Sequence, residues 1–269
     1  GKEIFKPLNT GFIDERESCI REYVANIYFY TKDGQTIMID AGYNYDRLVE
    51  KMQWLDISPK DIKDILITHQ DTDHVGAIEK GSNELFKEAT IYIGRIENEY
   101  LEGKRTRKVF WGLHKLPKVQ IDNKKVLIED GQVFYIGNIK IEAILVPGHT
   151  WGHLVYLIDD AYLFTGDTIW FGADGGYAFL NNLAEDRKLQ VKSLKRLEEI
   201  IREKNLKLKI ITGHTGWTDD IDFTFAHIDE ICNSLRRKPK VRDPKAPYDG
   251  FDESEDTKEN AKKGFLEKC

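Results

Sequence analysis

Long apolar runs are missing from this chain. No stretch reaches the roughly 18 residues needed to cross a bilayer, so no helical membrane segment is expected in the sequence given. No block of Lys and Arg interrupts a net charge of −6, and the charge balance gives no reason to expect a nucleic-acid partner. There are three cysteines, Cys19, Cys232 and Cys269. None has a C-x-x-C spacing or a neighbouring histidine, which argues against a disulfide framework or a thiolate metal site. Scattered free thiols fit a reducing compartment. No signal-peptide pattern follows Gly1, so the expected setting is cytoplasmic, with a removed export signal as the open alternative. The apolar share, 41%, and the charged share, 32%, leave ample material for a packed core.

Strand and helix signals alternate along the chain. Tyr23 to Tyr30 alternates apolar and polar residues, and Lys32-Asp33-Gly34-Gln35 predicts a hairpin turn into Thr36 to Ile39. A helix is expected from about Asp46 to Trp54. Ser58-Pro59 suggests the cap of a short helix, and 64–68 a short buried strand. The charged run Lys104-Arg105-Thr106-Arg107-Lys108 reads as a solvated turn in a helix-and-loop excursion. Short strands are expected at 124–127, 132–135, 139–146, 154–158, 162–165 and 208–211. Leu194, Leu197 and Ile201 give 185–204 one apolar helical face. A final helix is expected over 219–236. Residues 1–237 would then form the folded domain, and 238–269, rich in charge and proline, a mobile or loosely docked tail.

Histidine is the informative residue. Only seven are present, and four sit just after apolar strands, beside glycine or aspartate. His69 and His74 follow Ile65-Leu66-Ile67, within His69-Gln70-Asp71-Thr72-Asp73-His74. His149 follows Val146-Pro147-Gly148, and His214 follows Ile211-Thr212-Gly213. Asp167 follows Thr165-Gly166 in the same way. Two imidazoles and two carboxylates within six positions repel and desolvate one another unless a cation holds them. Loops leaving strand ends at one sheet edge converge. A single such residue is ordinarily a turn or hydrogen-bonding group; the joint pattern supplies seven candidate ligands, too many for one tetrahedral ion and suited to two adjacent ions.

With these motifs in hand, the sequence resembles the metallo-β-lactamase superfamily over roughly Ile20 to Arg236. Asp40-Ala41-Gly42 after an apolar strand resembles an early family signature. His69 to His74 stands where the family has H-x-H-x-D-H, and the Pro147-Gly148-His149-Thr150, Gly166-Asp167 and Gly213-His214 segments match its later motifs. The resemblance implies a four-layer αββα sandwich of α/β class with the site where its two sheets meet. It implies that His69, Asp71 and His149 hold one ion, that Asp73, His74 and His214 hold the other, and that Asp167 bridges them. Asp40 would be structural, beneath the site.

Asp71 departs from the usual histidine. Three carboxylates then oppose two divalent ions, so a bridging hydroxide would leave the site neutral and weaken activation of water. An oxygen ligand also admits manganese or iron beside zinc, the first expectation, and a flavin-partnered diiron branch of the superfamily carries a carboxylate here. The Pro147–His153 loop resembles the hydrolase form, however, and the sequence given is not expected to contain a flavodoxin-like module. One group of true β-lactamases has cysteine at the place of Asp167. The expected function is therefore a metal-dependent hydrolase of a small-molecule ester, lactone, thioester, amide or phosphodiester. Attack would come from the bridging hydroxide, with Asp73 and His74 as the catalytic pair. The alternatives are a non-haem diiron protein binding or reducing O2 or NO, a β-lactam hydrolase, or a metal-bound protein without turnover. His153 reads as a substrate contact or a supporting residue, and Trp151, Trp170, Phe171, Tyr177, Tyr43 and Tyr45 as pocket candidates for which core packing is favoured. His114 and His227 have no motif.

Overall fold

A computed structural model describes residues 5–231 and 251–263. The first half builds strands β1 (Gly11–Phe12), β2 (Glu17–Glu22), β3 (Ala25–Lys32) and β4 (Gln35–Ile39), then helix α1 (Tyr45–Trp54). Strand β5 (Asp64–Leu66), helix α2 (Thr72–Val75), strand β6 (Thr90–Gly94) and helix α3 (Arg95–Leu101) follow. A small hairpin of β7 (Lys108–Val109) and β8 (His114–Lys115) precedes β9 (Lys125–Ile128). The second half runs through β10 (Val133–Ile136), β11 (Ile139–Leu145), β12 (Leu154–Ile158), β13 (Tyr162–Gly166), β14 (Ile169–Gly172) and β15 (Gly175–Ala178). Helix α4 (Arg187–Lys204), β16 (Lys209–Thr212), β17 (Trp217–Thr218), α5 (Ile221–Phe225), β18 (His227–Ile231) and α6 (Lys258–Lys263) complete it.

Two sheets face each other. One has the order β1-β2-β3-β4-β5-β6-β9, the other β10-β11-β12-β13-β16-β17. The period-2 alternation of the strands decides which side chain meets which layer. Tyr28 and Tyr30 of β3 and Ile37 and Ile39 of β4 point inward, against Ile141, Ala143, Leu154, Tyr156 and Phe164 of the other sheet. The intervening Ile27, Phe29 and Met38 point outward and pack under Leu48 and Met52 of α1. On the far side Val155, Leu157 and Leu163 pack under Leu194, Leu197 and Ile201 of α4. The result is the expected αββα sandwich.

Local signals explain the ends of these elements. Asp33 and Gly34 both adopt positive φ, 51° and 77°, as the tight β3–β4 turn demands. Asn44 caps α1 by accepting from Arg47 N, and Asp186 caps α4 by accepting from Leu189 N. The expected final helix is corrected. It lasts only through α5, and His227–Ile231 is instead a strand pairing in parallel with β15. Backbone pairing to a neighbouring strand here outweighs helical periodicity. The rest of that predicted helix, and tail residues 238–250 and 264–269, lie outside the described residues. Within the predicted tail, 251–263 are docked. Arg21 Nη1 donates to Phe251 O at 2.8 Å, Thr10 N donates to Asp256 Oδ1 at 2.7 Å, and Lys51 pairs with Asp256 at 2.6 Å. Specific polar partners, with Phe251 and Ala261 buried, hold a segment that composition alone left loose.

At one edge the sheets are joined through the backbone. Asn26 N donates to Gly213 O (2.8 Å) and Leu154 N to Thr68 O (2.9 Å). Tyr28 Oη donates to Thr212 O (2.6 Å) and Tyr156 Oη to Ile67 O (2.7 Å). The strand-end loops meet at that edge.

Candidate metal centre

The three histidine loops, carrying His69 and His74, His149, and His214, converge with the Asp167 loop. Asp167 Oδ2 lies 3.4 Å from His69 Nε2, 3.2 Å from His74 Nε2, 3.6 Å from His149 Nε2 and 3.2 Å from His214 Nε2. Asp71 Oδ2 is 3.5 Å from His69 Nε2 and 3.1 Å from His149 Nε2. Asp73 Oδ2 is 3.4 Å from His74 Nε2 and 3.2 Å from His214 Nε2. Donors around a tetrahedral ion with bonds near 2.0–2.1 Å are about 3.3 Å apart, so these spacings suit two ion positions sharing Asp167. His69 Nε2, His74 Nε2 and Asp167 Oδ1 are buried without a hydrogen-bond partner. Buried polar atoms left unpaired cost free energy, and these aim at a common centre, so the residues fit a divalent metal. Two groups, Asp73/His74/Asp167/His214 and His69/His149/Asp167, each bring their donor atoms within 4.8 Å of one another.

The surroundings fix the free nitrogen of three rings. His74 Nδ1 donates to Asp40 Oδ2 at 2.8 Å and His214 Nδ1 to Val24 O at 2.6 Å. Thr68 Oγ1 gives its proton to Asp40, so it accepts from His69 Nδ1 at 2.9 Å. Each ring then presents Nε2 inward. Asp40 sits at φ 62°, a left-handed turn that aspartate tolerates, and also accepts from Thr68 N at 2.8 Å. His153 is buried and accepts from Asp167 N at 3.1 Å while stacking on His69. It therefore supports Asp167 from behind and does not line the pocket.

The charges are strongly coupled. Burial disfavours the imidazolium of His69 and His214, but the facing carboxylates outweigh it and raise them to about 9 and 10. Burial and the nearby Arg107 lower His149 to about 4. Burial opposes ionisation of Asp71 too, yet Arg107 and the histidines hold it well below the ordinary range. A divalent ion competes with protons for these same lone pairs.

Two supporting residues had no legible motif. Glu97 of α3 is buried; it accepts from Gln70 N (2.9 Å), Thr150 Oγ1 (2.8 Å) and Gly152 N (3.0 Å). It thereby ties the loop after β5 to the loop before β12, and burial pushes its carboxyl up to about 7. The second is Arg107, and at this residue the solvated-turn reading of 104–108 is corrected, while Lys104, Thr106 and Lys108 are exposed as expected. Arg107 is 3% exposed, and its Nε and Nη2 donate to Asp71 Oδ1 and Oδ2 at 2.7 and 2.9 Å. It left no periodic trace because it stands just before the short β7, where only the partner across the chain shows its role.

The aromatic candidates Trp170, Phe171 and Tyr177 are buried in the core, as favoured. Tyr43 is exposed, and Tyr45 packs edge-on to Phe86. Trp151 lies under the Arg105 guanidinium. The rings beside the centre are others, Phe179 at 5.1 Å from the His149 ring and Phe5 at 4.9 Å from the His214 ring. His114 is on exposed β8, and His227 stacks on Tyr177.

An αββα sandwich with a His/Asp cluster at the meeting edge of its sheets defines a class of metal-binding proteins. Residues 20–214 match the sequence model of the metallo-beta-lactamase superfamily. The chain belongs to that superfamily. It is 30% identical over 159 residues to the probable polyketide biosynthesis zinc-dependent hydrolase BaeB of Bacillus velezensis, covering 59% of this chain and 60% of that protein. It is 29% identical over 148 residues to a hydroxyacylglutathione hydrolase of Buchnera aphidicola, covering 54% and 47%. The matches thus span about half to three-fifths of these relatives. Among solved structures, a B3 metallo-beta-lactamase with an active site glutamic acid superposes with a TM-score of 0.59 at 20% identity, covering 82% of this chain and 86% of that one. The dizinc quorum-quenching lactonase AidC gives 0.56 at 22%, covering 71% and 72%. These two share the fold.

Proposed function

We propose that this chain is a metal-dependent hydrolase with a dinuclear centre, acting on an ester, lactone, thioester, amide or phosphodiester bond. His69, Asp71 and His149 hold one ion, Asp73, His74 and His214 the other, and Asp167 both. The observation that carries this reading is the position of Asp167 Oδ2, within 3.6 Å of all four histidine Nε2 atoms. Two ions held there supply Lewis acidity toward a carbonyl or phosphoryl oxygen and bring the pKa of a water toward neutrality.

The protein's own groups do the positioning. The Asp73 side chain is 29% exposed, while the histidines around it are buried. It is the carboxylate that meets an incoming substrate, orients the attacking water, accepts the proton that water gives up and passes it to the leaving group. His74 orders Asp73 and is itself ordered by Asp40. Phe5, half-buried with its ring 4.9 Å from that of His214, offers an apolar edge for an acyl or aliphatic portion, and Phe179 is buried behind it. The names of the relatives, a polyketide zinc-dependent hydrolase and a hydroxyacylglutathione hydrolase, together with the lactonase fold neighbour, put thioesters and lactones first.

The test is zinc content on purification, followed by a panel of acyl thioesters, lactones and phosphodiesters. Asp73→Ala and His74→Ala are expected to abolish turnover and to lose one ion. Full activity in either variant refutes the reading. The Asp71 carboxylate also supports a second reading, a diiron protein for O2 or NO; iron content with charge-transfer absorption would favour it.

A further inference from the structure

The usual chemistry of the superfamily does not account for Arg107. Its guanidinium is buried against Asp71 in a two-point clasp. Its place does not depend on Asp71 alone, because Nη1 donates to Lys108 O at 2.9 Å and Nη2 to Leu183 O at 2.7 Å. Glu185 Oε1 stands 3.8 Å from Nη1. With these partners the fork is largely saturated, so it is built into the site and not free to grip a substrate. Nη2 also lies 3.5 Å from His149 Nε2, beside the lone pair that an ion would use.

The two halves of the centre therefore differ. Asp71 shares Oδ2 between the ion position and a fixed cation. Among the described residues, Asp73 and Asp167 pair with histidines only. Three carboxylates and one guanidinium sum to −2, which is the charge of a site with histidine in place of Asp71.

We propose that Arg107 is a resident countercation of the metal centre. It makes Asp71 and Arg107 together a neutral ligand unit and renders the His69/Asp71/His149 half the weaker of the two, filled second. This rests on the dinuclear reading above. Arg107 acts through Asp71 and is a positioning residue. A fixed positive charge near an ion opposes its binding, while the same charge lowers the cost of keeping Asp71 among other carboxylates before any ion arrives.

The experiment is a competitive Zn2+ titration against a chromophoric chelator, with bound zinc counted after desalting. The wild type should bind two ions in separate steps, the weaker step vanishing in His149→Ala. Arg107→Met should tighten the weaker step by more than about tenfold. Arg107→Lys, which keeps the charge, should not tighten it. Asp71→His leaves the guanidinium facing an imidazole and should lose the second ion; Asp71→His/Arg107→Met should regain it. That pair tests the idea even where Arg107→Met alone folds poorly. Binding of one divalent ion or none by the wild type would refute the dinuclear reading itself. Two equal steps in the wild type, or loss of the second ion in soluble Arg107→Met, would overturn the countercation and leave that reading standing. So would an Asp71→His variant that binds as tightly as the double variant.

Discussion

Asp40→Asn is the most demanding test of the site's construction, because it removes one charge and almost no volume. Asparagine tolerates the φ of 62° at this position, so the backbone should be undisturbed. What changes is the pattern of acceptors. Asp40 Oδ1 accepts from Thr68 N at 2.8 Å, and Oδ2 accepts from His74 Nδ1 at 2.8 Å. Asparagine offers one acceptor and one donor in their place. If its nitrogen faces Thr68 N, two buried donors oppose each other, at a cost of about 1–3 kcal/mol. If it faces His74, Nδ1 must become an acceptor and the ring proton moves to Nε2. That proton then occupies the lone pair directed at Asp73 and Asp167. Loss of such a supporting partner typically weakens metal binding by about 10–100-fold. Chelator competition for zinc, read beside urea unfolding, separates the two outcomes. A variant equal to the wild type in both measurements would refute the claim that Asp40 sets the tautomer of His74.

Two further substitutions address the support of the loops. Glu97 titrates from an ordinary 4.5 up to about 7 in the folded chain. The native state therefore binds more protons than the unfolded one between these values, and stability falls as pH rises through that window, by about 3 kcal/mol in all. Chelator-stripped Glu97→Gln should lose this contribution to the slope, and at pH 8 its amide meets donors on both sides; urea midpoints from pH 4.5 to 8 check it, and an unchanged slope counts against the assignment. Gly166 has φ 56°, and a Cβ there would stand 2.7 Å from the His153 ring and 2.8 Å from Thr68 Oγ1. Gly166→Ala should lose about 2–4 kcal/mol from left-handed strain and overpacking, lowering Tm by several degrees in a thermal melt; a Tm equal to that of the wild type would show that the loop yields freely.

The sequence revealed the layers of the fold and the candidate ligands for different reasons. Alternation in β3 and β12 and the Leu194/Leu197/Ile201 stripe are local, and each declares its buried face without reference to the rest of the chain. The histidine and aspartate motifs are local as well, since each follows its own strand. Glu97 and Arg107 are not. Each lies in a charged stretch that reads as solvated surface, and each acquires its role only from partners far away in sequence, Thr150 for one and Asp71 for the other. The short β18 escaped for a similar reason, as its identity is set by pairing with β15. Docking of 251–263 depends on Arg21, Thr10 and Lys51, which no feature of the segment itself announces.

The backbone bonds that join Asn26 to Gly213 and Leu154 to Thr68 make the sandwich resemble a book with a spine. Along the spine backbone bonds stitch the two separate sheets together, while over their faces the described residues meet through side chains. Loosening of the core would begin at the open edge, and the loops that carry the histidines would be the last to separate. The pages can therefore vary in sequence, and the β7–β8 hairpin or the outer strands can be reshaped, while the spine keeps its register. Chemistry seated on the spine inherits that stiffness.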